Sequence, residues 1–126
     1  TEISRSVLPE NVSLKDAIHN LRCSAMFVNS IYTKDENLLK MSLKDKLHQP
    51  YRTKLVPGLE EIMNNLKHVD NVLGTALSGA GPGIIVVTSN SETDKINSII
   101  RETWNNYGVQ VDTKTVSVEN NGAKIL

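Results

Sequence analysis

Residues 77–87 read Leu77-Ser78-Gly79-Ala80-Gly81-Pro82-Gly83-Ile84-Ile85-Val86-Val87. Small residues separate two apolar runs, Val72–Leu77 and Ile84–Val87, which predict two β-strands. Three glycines and one proline within positions 79–83 predict a sharply turned loop, because glycine adopts positive φ values at little cost. The loop has two interpretations. It is a plain connection between strands, or its successive N–H groups converge on an anion.

Two helices are predicted at the start of the chain. A short helix covers residues 2–8 and ends at Pro9. Ser13, with Asp16 three residues later, predicts the start of the longest helix. Its apolar face has spacings of three and four and comprises Leu14, Ala17, Ile18, Leu21, Ala25, Val28 and Ile31. The face is widened by Cys23, Met26 and Phe27. We therefore expect this helix to be buried on more than one side, with Phe27 in the core.

Two further helices are predicted before the hairpin. Thr33-Lys34-Asp35-Glu36 is a second capping pattern, and the helix that it opens carries Leu39, Leu43 and Leu47 on one side. Pro50 is expected to end it, because the residue before a proline is disfavoured in the α region. Pro57, at a first helical position, opens the next helix. The apolar face of that helix comprises Leu59, Ile62, Met63 and Leu66.

One helix and one strand are predicted after the hairpin. Ser91 and Asp94 mark the start of the helix, and Gly108 stands where a C-terminal glycine belongs. Its inner face comprises Ile96, Ile99, Ile100, Thr103 and Trp104. Residues 109–118 are rich in β-branched side chains and predict a strand. A turn at 120–122 precedes a last apolar run over residues 123–126.

The order of elements predicts an α+β fold, with a helical layer packed on a small antiparallel sheet. Its final β-β-α-β part is most of a ferredoxin-like split βαβ unit. Such a unit needs a strand before its first helix, so we expect one strand to be supplied upstream of Thr1. An unpaired sheet edge would then favour a homodimer or strand exchange.

Composition gives no support for a nucleic-acid or membrane partner, although a neutral total leaves a local basic site open. Lys+Arg and Asp+Glu number 14 each, so no net charge favours nucleic acid or an anionic membrane surface. No apolar run approaches the roughly 20 residues that span a bilayer. A single cysteine excludes an internal disulfide and fits the cytoplasm. The chain starts without Met, so we expect it to be a fragment or a trimmed piece of a longer protein, and its first residues carry no signal-peptide pattern.

Few residues stand out as chemical groups. Arg52 follows Tyr51 and lies close to His48 in a polar connection, and an Arg fork binds carboxylate or phosphate with two parallel hydrogen bonds. A surface charge is the ordinary role for one such Arg, as it is for Arg5. His48 fits a hydrogen-bonded structural role, since the three histidines and Cys23 lack metal-ligand spacing. The acidic residues fit helix caps or exposed helix faces, so no catalytic residue or metal site is predicted.

Four motifs resemble the C-terminal half of the GHMP small-molecule kinase family. They are Thr1-Glu2-Ile3-Ser4-Arg5-Ser6-Val7-Leu8-Pro9, Leu47-His48-Gln49-Pro50-Tyr51-Arg52, Leu77-Ser78-Gly79-Ala80-Gly81-Pro82 and Asn121-Gly122-Ala123-Lys124-Ile125-Leu126. The glycine motif is similar to the third motif of the whole family. The two Arg-bearing motifs are similar to those of the members that phosphorylate L-homoserine in threonine biosynthesis.

The resemblance implies a role for each motif. Arg5 and Arg52 would hold the carboxylate of L-homoserine, with His48 and Tyr51 behind them. The 78–83 loop would lie near the phosphoryl group that passes from Mg-ATP to the substrate hydroxyl. Relatives commonly carry Ser or Thr at Gly83, so this chain departs from the family there.

The resemblance also implies that this chain is the substrate-side domain. The ATP-binding loop and the Mg²⁺ ligands of the family lie in an N-terminal half that the chain lacks, so we expect the chain alone to be inactive. Two other interpretations stay open. One is another GHMP kinase, such as a mevalonate-pathway enzyme, and the other is a non-catalytic ferredoxin-like module that binds an amino acid at a subunit interface.

Overall fold

A computed structural model describes residues 2–123 of the 126-residue chain. The helices are α1 (Glu2–Ser6), α2 (Leu14–Thr33), α3 (Glu36–Ser42), α4 (Gln49–Arg52), α5 (Leu59–Leu66) and α6 (Asp94–Asn106). A 3₁₀ turn covers Thr53–Leu55, and the strands are β1 (Val72–Leu77) and β2 (Ile84–Thr88). The strands form a two-stranded antiparallel sheet on which helices pack. This confirms the predicted α+β architecture.

The hairpin has the predicted bounds, with β2 one residue longer. Leu77 pairs with Ile84 and Val72 with Thr88, and a bulge lies between Val72 and Gly74. The N–H of Ser78 donates to the carbonyl of Gly83 at 2.9 Å and closes the loop. Gly79 and Gly81 have φ values of 63° and 81°, which explains why glycine occupies both positions.

The core lies between α5, α6 and the sheet. Its buried members are Val56, Leu59, Ile62, Leu66, Val69, Val72, Ile96, Ile100 and Trp104. Leu59, Ile62 and Leu66 have no exposed surface. The indole N–H of Trp104 donates to the carbonyl of Pro57 at 2.9 Å, so the one polar atom of this side chain is satisfied inside the core. The predicted core position of Trp104 is confirmed.

Helix α2 begins as predicted but does not bury the predicted face. The Ser13 hydroxyl accepts a hydrogen bond of 3.0 Å from the N–H of Asp16. Leu14 and Leu21 are 76% and 73% exposed, and Phe27 is 41% exposed, so the prediction of a buried stripe with Phe27 in the core was wrong. The side that packs against α3 carries Cys23, which is buried. No other element among residues 2–123 covers the stripe.

The predicted long helix from Thr33 to Pro50 was also wrong. Asp35 caps α3 by accepting from the N–H of Leu38 at 2.9 Å, and α3 ends at Ser42. Pro50 lies in the first turn of α4 instead of ending a helix. Proline is tolerated there because first-turn N–H groups have no partner within their own helix.

The start of α5 differs from the prediction by two residues. Pro57 is not its first residue, because Gly58 follows with φ 75° and breaks the helical path. Helix α5 therefore begins at Leu59.

The end of α6 is a Schellman motif, as the predicted glycine indicated. The N–H of Gly108 donates to the carbonyl of Asn105 at 3.0 Å, and the N–H of Val109 donates to the carbonyl of Trp104 at 2.9 Å. Gly108 has φ 69°, the left-handed conformation that this ending requires.

The predicted strand over residues 109–118 does not form. A strand needs a neighbour for its backbone groups, and β1 and β2 pair only with each other within the described residues. The segment lies along α6, where Arg101 donates to the carbonyl of Val111 and to the hydroxyl of Thr113. The hydroxyls of Thr93 and Thr115 lie 3.0 Å apart. The upstream strand stays a prediction, and residues 124–126 of the last apolar run lie outside the described residues.

None of the helices described here is both long and apolar enough to cross a membrane.

Candidate functional site

Arg52 joins three parts of the fold that are distant in sequence. It is the last residue of α4 and is half-buried. Its Nε donates to the carbonyl of Ser4 in α1 at 3.0 Å, and its Nη1 donates to the carbonyl of Gly79 in the glycine loop at 3.3 Å. A guanidinium has five N–H donors, so the bonds to residues 2–123 leave three of them for a ligand. The structure therefore brings together three of the four motifs.

Arg52 lines a cavity of about 600 Å³ between α2, α4 and the end of β1. Its polar lining includes Asn20, Asp45, His48, Gln49 and Arg52. Its apolar lining includes Phe27, Val28, Leu43 and Leu77. The exposed position of Phe27 is explained by this cavity, in whose wall it lies. An apolar pocket with a few polar groups along one side is typical of a small-molecule site.

Arg5 lies next to this arrangement but not in the cavity wall. It follows Ser4, whose carbonyl Arg52 binds, in the last turn of α1. Its side chain is exposed and binds no other residue in the described part of the chain. Tyr51 is half-buried and, like Arg5, is not among the lining residues. Arg52 and His48 thus both line the cavity. Arg5 does not line it, but it is the next residue after Ser4, to whose carbonyl Arg52 donates.

The glycine loop meets the cavity through Gly79. Among residues 2–123, no hydrogen bond is donated by the N–H groups of Gly79 and Ala80. Ser78, Ala80, Gly81, Pro82 and Gly83 do not line the cavity. A Cβ on Gly83 would lie 3.8 Å from the Cβ of Ser78, an ordinary contact, so a larger residue would fit at this position.

Asp45 is a polar centre of the cavity that the sequence interpretation treated only as a cap or an exposed charge. Its carboxylate accepts from the side-chain amide of Asn20 and from the backbone N–H groups of Leu47, His48 and Gln49 at 2.5 to 3.0 Å. Burial raises the pKa of this carboxyl. The four hydrogen bonds outweigh burial and lower the pKa to about 2. Asp45 is therefore ionised at neutral pH.

Gln49 and Asn20 are further residues that the sequence interpretation missed. The Oε1 of Gln49 accepts from the N–H of Leu77 at 2.8 Å, and the Oδ1 of Asn20 accepts from the N–H of Lys46 at 2.8 Å. Asn20 is separated from Asp45 by 25 residues. No local pattern in the sequence signals such a contact.

In the part of the chain that the structure describes, His48 has one acidic neighbour. Its Nδ1 lies 3.5 Å from the Oδ1 of Asp45, and its side chain is exposed. Within residues 2–123, no three His, Cys, Asp or Glu side chains are placed to hold a metal ion.

Known proteins resemble this chain in sequence over its whole length. The family model described as "GHMP kinases C terminal" matches residues 24–106. The chain is 43% identical over 126 residues to a homoserine kinase of Aquifex aeolicus, covering 99% of the chain and 42% of that relative. It is 36% identical to a homoserine kinase of Caldanaerobacter subterraneus, covering 100% of the chain and 40% of the relative.

A solved structure matches the fold. The crystal structure of homoserine kinase from Cytophaga hutchinsonii superposes with a TM-score of 0.78 at 25% identity, covering 85% of this chain and 34% of that one. The chain belongs to the C-terminal family of the GHMP kinases. The relatives named here are homoserine kinases, and the chain spans about two fifths of the length of the two curated ones.

Proposed function

We propose that the chain is the C-terminal, substrate-side part of a homoserine kinase, which transfers the γ-phosphoryl group of ATP to the side-chain hydroxyl of L-homoserine in threonine biosynthesis. The observation that carries the proposal is the position of Arg52. Its guanidinium lines the cavity and is fixed to both α1 and the glycine loop. A fixed, half-buried Arg differs from the solvated charge that a single surface Arg usually is.

Arg52 and Arg5 are proposed to bind the substrate carboxylate. Two donors of Arg52 are used by backbone carbonyls, and this orients the remaining N–H groups. A planar fork with free parallel N–H groups matches a carboxylate. Arg5 directly follows Ser4, whose carbonyl Arg52 binds, so the backbone of Arg5 lies close to the Arg52 guanidinium, and this supports a joint role for the two arginines. His48, in the cavity wall, and Tyr51, beside Arg52, complete the surroundings in this proposal.

The loop Ser78–Gly83 is proposed to lie near the transferred phosphoryl group. Within residues 2–123, the N–H groups of Gly79 and Ala80 donate no hydrogen bond, and such donors are suited to developing negative charge. In the reaction, the homoserine oxygen bonds to the γ-phosphorus, the bond from that phosphorus to the bridging oxygen breaks, ADP leaves, and the hydroxyl proton is released. Phosphoryl transfer depends mainly on positioning and charge neutralisation, so this domain needs no dedicated base.

ATP and Mg²⁺ are proposed to be bound by the remainder of the full-length enzyme. Support comes from the length of the chain, which spans about two fifths of the curated relatives named above. We accordingly propose that residues 1–126 alone do not catalyse the reaction. A cytoplasmic location is also part of the proposal, supported by the single, unpaired Cys23.

A homodimer is the proposed assembly. Each strand of the hairpin pairs on one side only within the described residues, and Ile85 in β2 is 54% exposed. An open edge with an exposed apolar residue favours pairing with a second copy. Sedimentation velocity at several concentrations tests this, and a concentration-independent monomer would overturn it.

The function is tested by ADP release from the full-length protein with L-homoserine, L-serine, L-threonine and mevalonate as acceptors. The variants are Arg52→Ala and, as a matched control, Arg22→Ala, because Arg22 is an exposed Arg on α2 outside the cavity wall. We expect turnover with L-homoserine only, and a KM for L-homoserine raised at least about tenfold in Arg52→Ala alone.

Each other outcome has a definite meaning. Turnover with mevalonate would mean that the protein is a GHMP kinase whose substrate is not L-homoserine. An equal KM for L-homoserine in the Arg52 and Arg22 variants would show that Arg52 does not bind the substrate. Absence of ATP turnover with all four acceptors would overturn the kinase proposal in favour of an amino-acid-binding module.

A further inference from the structure

The short helix α4 is held in place from outside itself. It has four residues, too few for a helix that is stable on its own. Three N–H groups at its start, those of Leu47, His48 and Gln49, all donate to the carboxylate of Asp45. An ionised carboxylate at a helix start both satisfies free donors and complements the helix dipole. Asp45 therefore stabilises the conformation in which α4 forms.

Asp45 is in turn held by the long helix α2. The side-chain amide of Asn20 donates to its Oδ1, and the Oδ1 of Asn20 accepts from the N–H of Lys46 at 2.8 Å. One amide thus binds both Asp45 and the backbone of the next residue. Asn20 lies within the 20-residue helix α2, which fixes the position of this amide.

At its other side, α4 is joined twice to the glycine-loop region. The side chain of Gln49 accepts from the N–H of Leu77, the residue just before the loop, at 2.8 Å. Arg52, one turn later, donates to the carbonyl of Gly79 at 3.3 Å. A shift of α4 would therefore move the guanidinium and the loop contact together.

We propose that Asp45, held by Asn20, is a positioning residue that sets the place of Arg52 and of the glycine loop through α4. The inference rests on the proposed function of Arg52. Asp45 lines the cavity, but a carboxylate has about four acceptor positions, and four protein donors occupy them. It has no acceptor left for the substrate, and its charge would repel a substrate carboxylate. Its effect on the reaction therefore passes through α4.

The kinetic test uses the full-length enzyme with Asp45→Asn, and Asp16→Asn as the matched control. Asp16 undergoes the same chemical change on an exposed helix start, where it pairs with Lys46 at 3.4 Å. We expect Asp45→Asn to raise the KM for L-homoserine about tenfold and to leave the KM for ATP unchanged. In the Asp16→Asn enzyme, both KM values are expected to stay at those of the wild type. Asn20→Ala, which keeps the Asp45 carboxylate, is expected to give a smaller rise in the same direction.

A double variant separates positioning from direct contact. In the Arg52→Ala background, Asp45→Asn is expected to add less than about twofold to the KM, because the group it positions is already gone. If the KM of the double variant rises by the product of the two single increases, the proposal is overturned. An unchanged KM in both Asp45→Asn and Asn20→Ala would also overturn it.

Amide hydrogen exchange supplies a readout that does not depend on activity. In Asp45→Asn, the amides of residues 47–49 and of Leu77 are expected to exchange faster, with the amides of α5 unchanged. If wild-type protein fails to phosphorylate L-homoserine, the proposed function falls, and this exchange pattern still decides the positioning role. Unchanged exchange at Leu77 would overturn it, and so would equally faster exchange across α5, which would mean general unfolding. Asn20→Ala provides the same readout if Asp45→Asn does not fold.

Discussion

The indole Nε1 of Trp104 donates a 2.9 Å hydrogen bond to the carbonyl oxygen of Pro57, which lies 47 residues earlier. Trp104 is 5% exposed, and the bond ties α6 to the segment that leads into α5. A hydrogen bond of this kind contributes on the order of 1 kcal/mol to the free energy of unfolding.

Trp104→Phe keeps an aromatic ring but removes the donor and part of the ring volume. We expect it to lower the free energy of unfolding by about 2 to 3 kcal/mol. Tyr107→Phe is the control, because it removes an exposed hydroxyl that bonds Glu61 at 3.1 Å, and it should cost less than about 0.5 kcal/mol. Urea unfolding of both variants gives the comparison. Equal losses would show that the Trp104–Pro57 bond contributes no more to stability than the exposed Tyr107–Glu61 bond.

The two apolar helix faces of the chain should respond very differently to truncation. Ile62 in α5 has no exposed surface, whereas Leu21 in α2 is 73% exposed. Ile62→Ala is expected to lower the free energy of unfolding by about 2 to 5 kcal/mol. Leu21→Ala is expected to change it by less than about 0.5 kcal/mol. Chemical denaturation of this chain measures both. A large loss at Leu21 would mean that α2 is covered by a contact outside the described fold.

This contrast shows what the sequence could predict. The hairpin, the Ser13 cap and the Gly108 ending depend on neighbouring residues, and all three were predicted. The helical period of α2 was also correct, but periodicity identifies an apolar face without saying what covers it. Leu14 and Leu21 are exposed because no described element packs on them.

The site was less predictable than the fold because its contacts are distant in sequence. The helix predicted to run to Pro50 stops at Ser42, and the chain after it folds around Asp45, whose position depends on Asn20 25 residues earlier. Arg52 could be selected as a chemical group, but its bonds to Ser4 and Gly79 span 48 and 27 residues. No spacing rule within one element predicts them.

Gly58 is restricted both by its backbone and by a neighbour. Its φ is 75°, and a Cβ there would lie 2.7 Å from the ring atom Cδ2 of Tyr107. Gly108 has φ 69°, and a Cβ there would meet no atom within 4 Å, so it carries the backbone restriction alone. Gly108→Ala is expected to lower the free energy of unfolding by about 1 kcal/mol, and Gly58→Ala is expected to lower it by about 2 to 3 kcal/mol. Thermal unfolding compares them, and equal costs would show that the Tyr107 ring moves aside freely.

The depressed pKa of Asp45 predicts a specific dependence of stability on pH. A carboxyl whose pKa is lower in the folded than in the unfolded chain stabilises the fold fully above its ordinary value. That contribution is lost as pH falls from 3.8 through about 2. Because solvent screens a partly exposed carboxylate, it amounts to about 1 to 2 kcal/mol. The measurement is the free energy of unfolding of wild-type chain minus that of Asp45→Asn, taken at pH values across this window. The difference should shrink as pH falls, and a constant difference would contradict the assignment.

Arg52 and Arg5 should tolerate lysine unequally. Lysine keeps the charge but cannot donate from two fixed positions, so Arg52→Lys loses the pair of bonds to the carbonyls of Ser4 and Gly79. We expect it to lower the free energy of unfolding by about 1 to 2 kcal/mol and to raise the KM for L-homoserine at least about tenfold. Arg5 makes no such bonds within residues 2–123, so Arg5→Lys should leave stability unchanged and raise the KM less. Urea unfolding and ADP-release kinetics of the two full-length variants test both effects. A larger loss of stability in Arg5→Lys would show that α1, rather than α4, fixes the arginine pair.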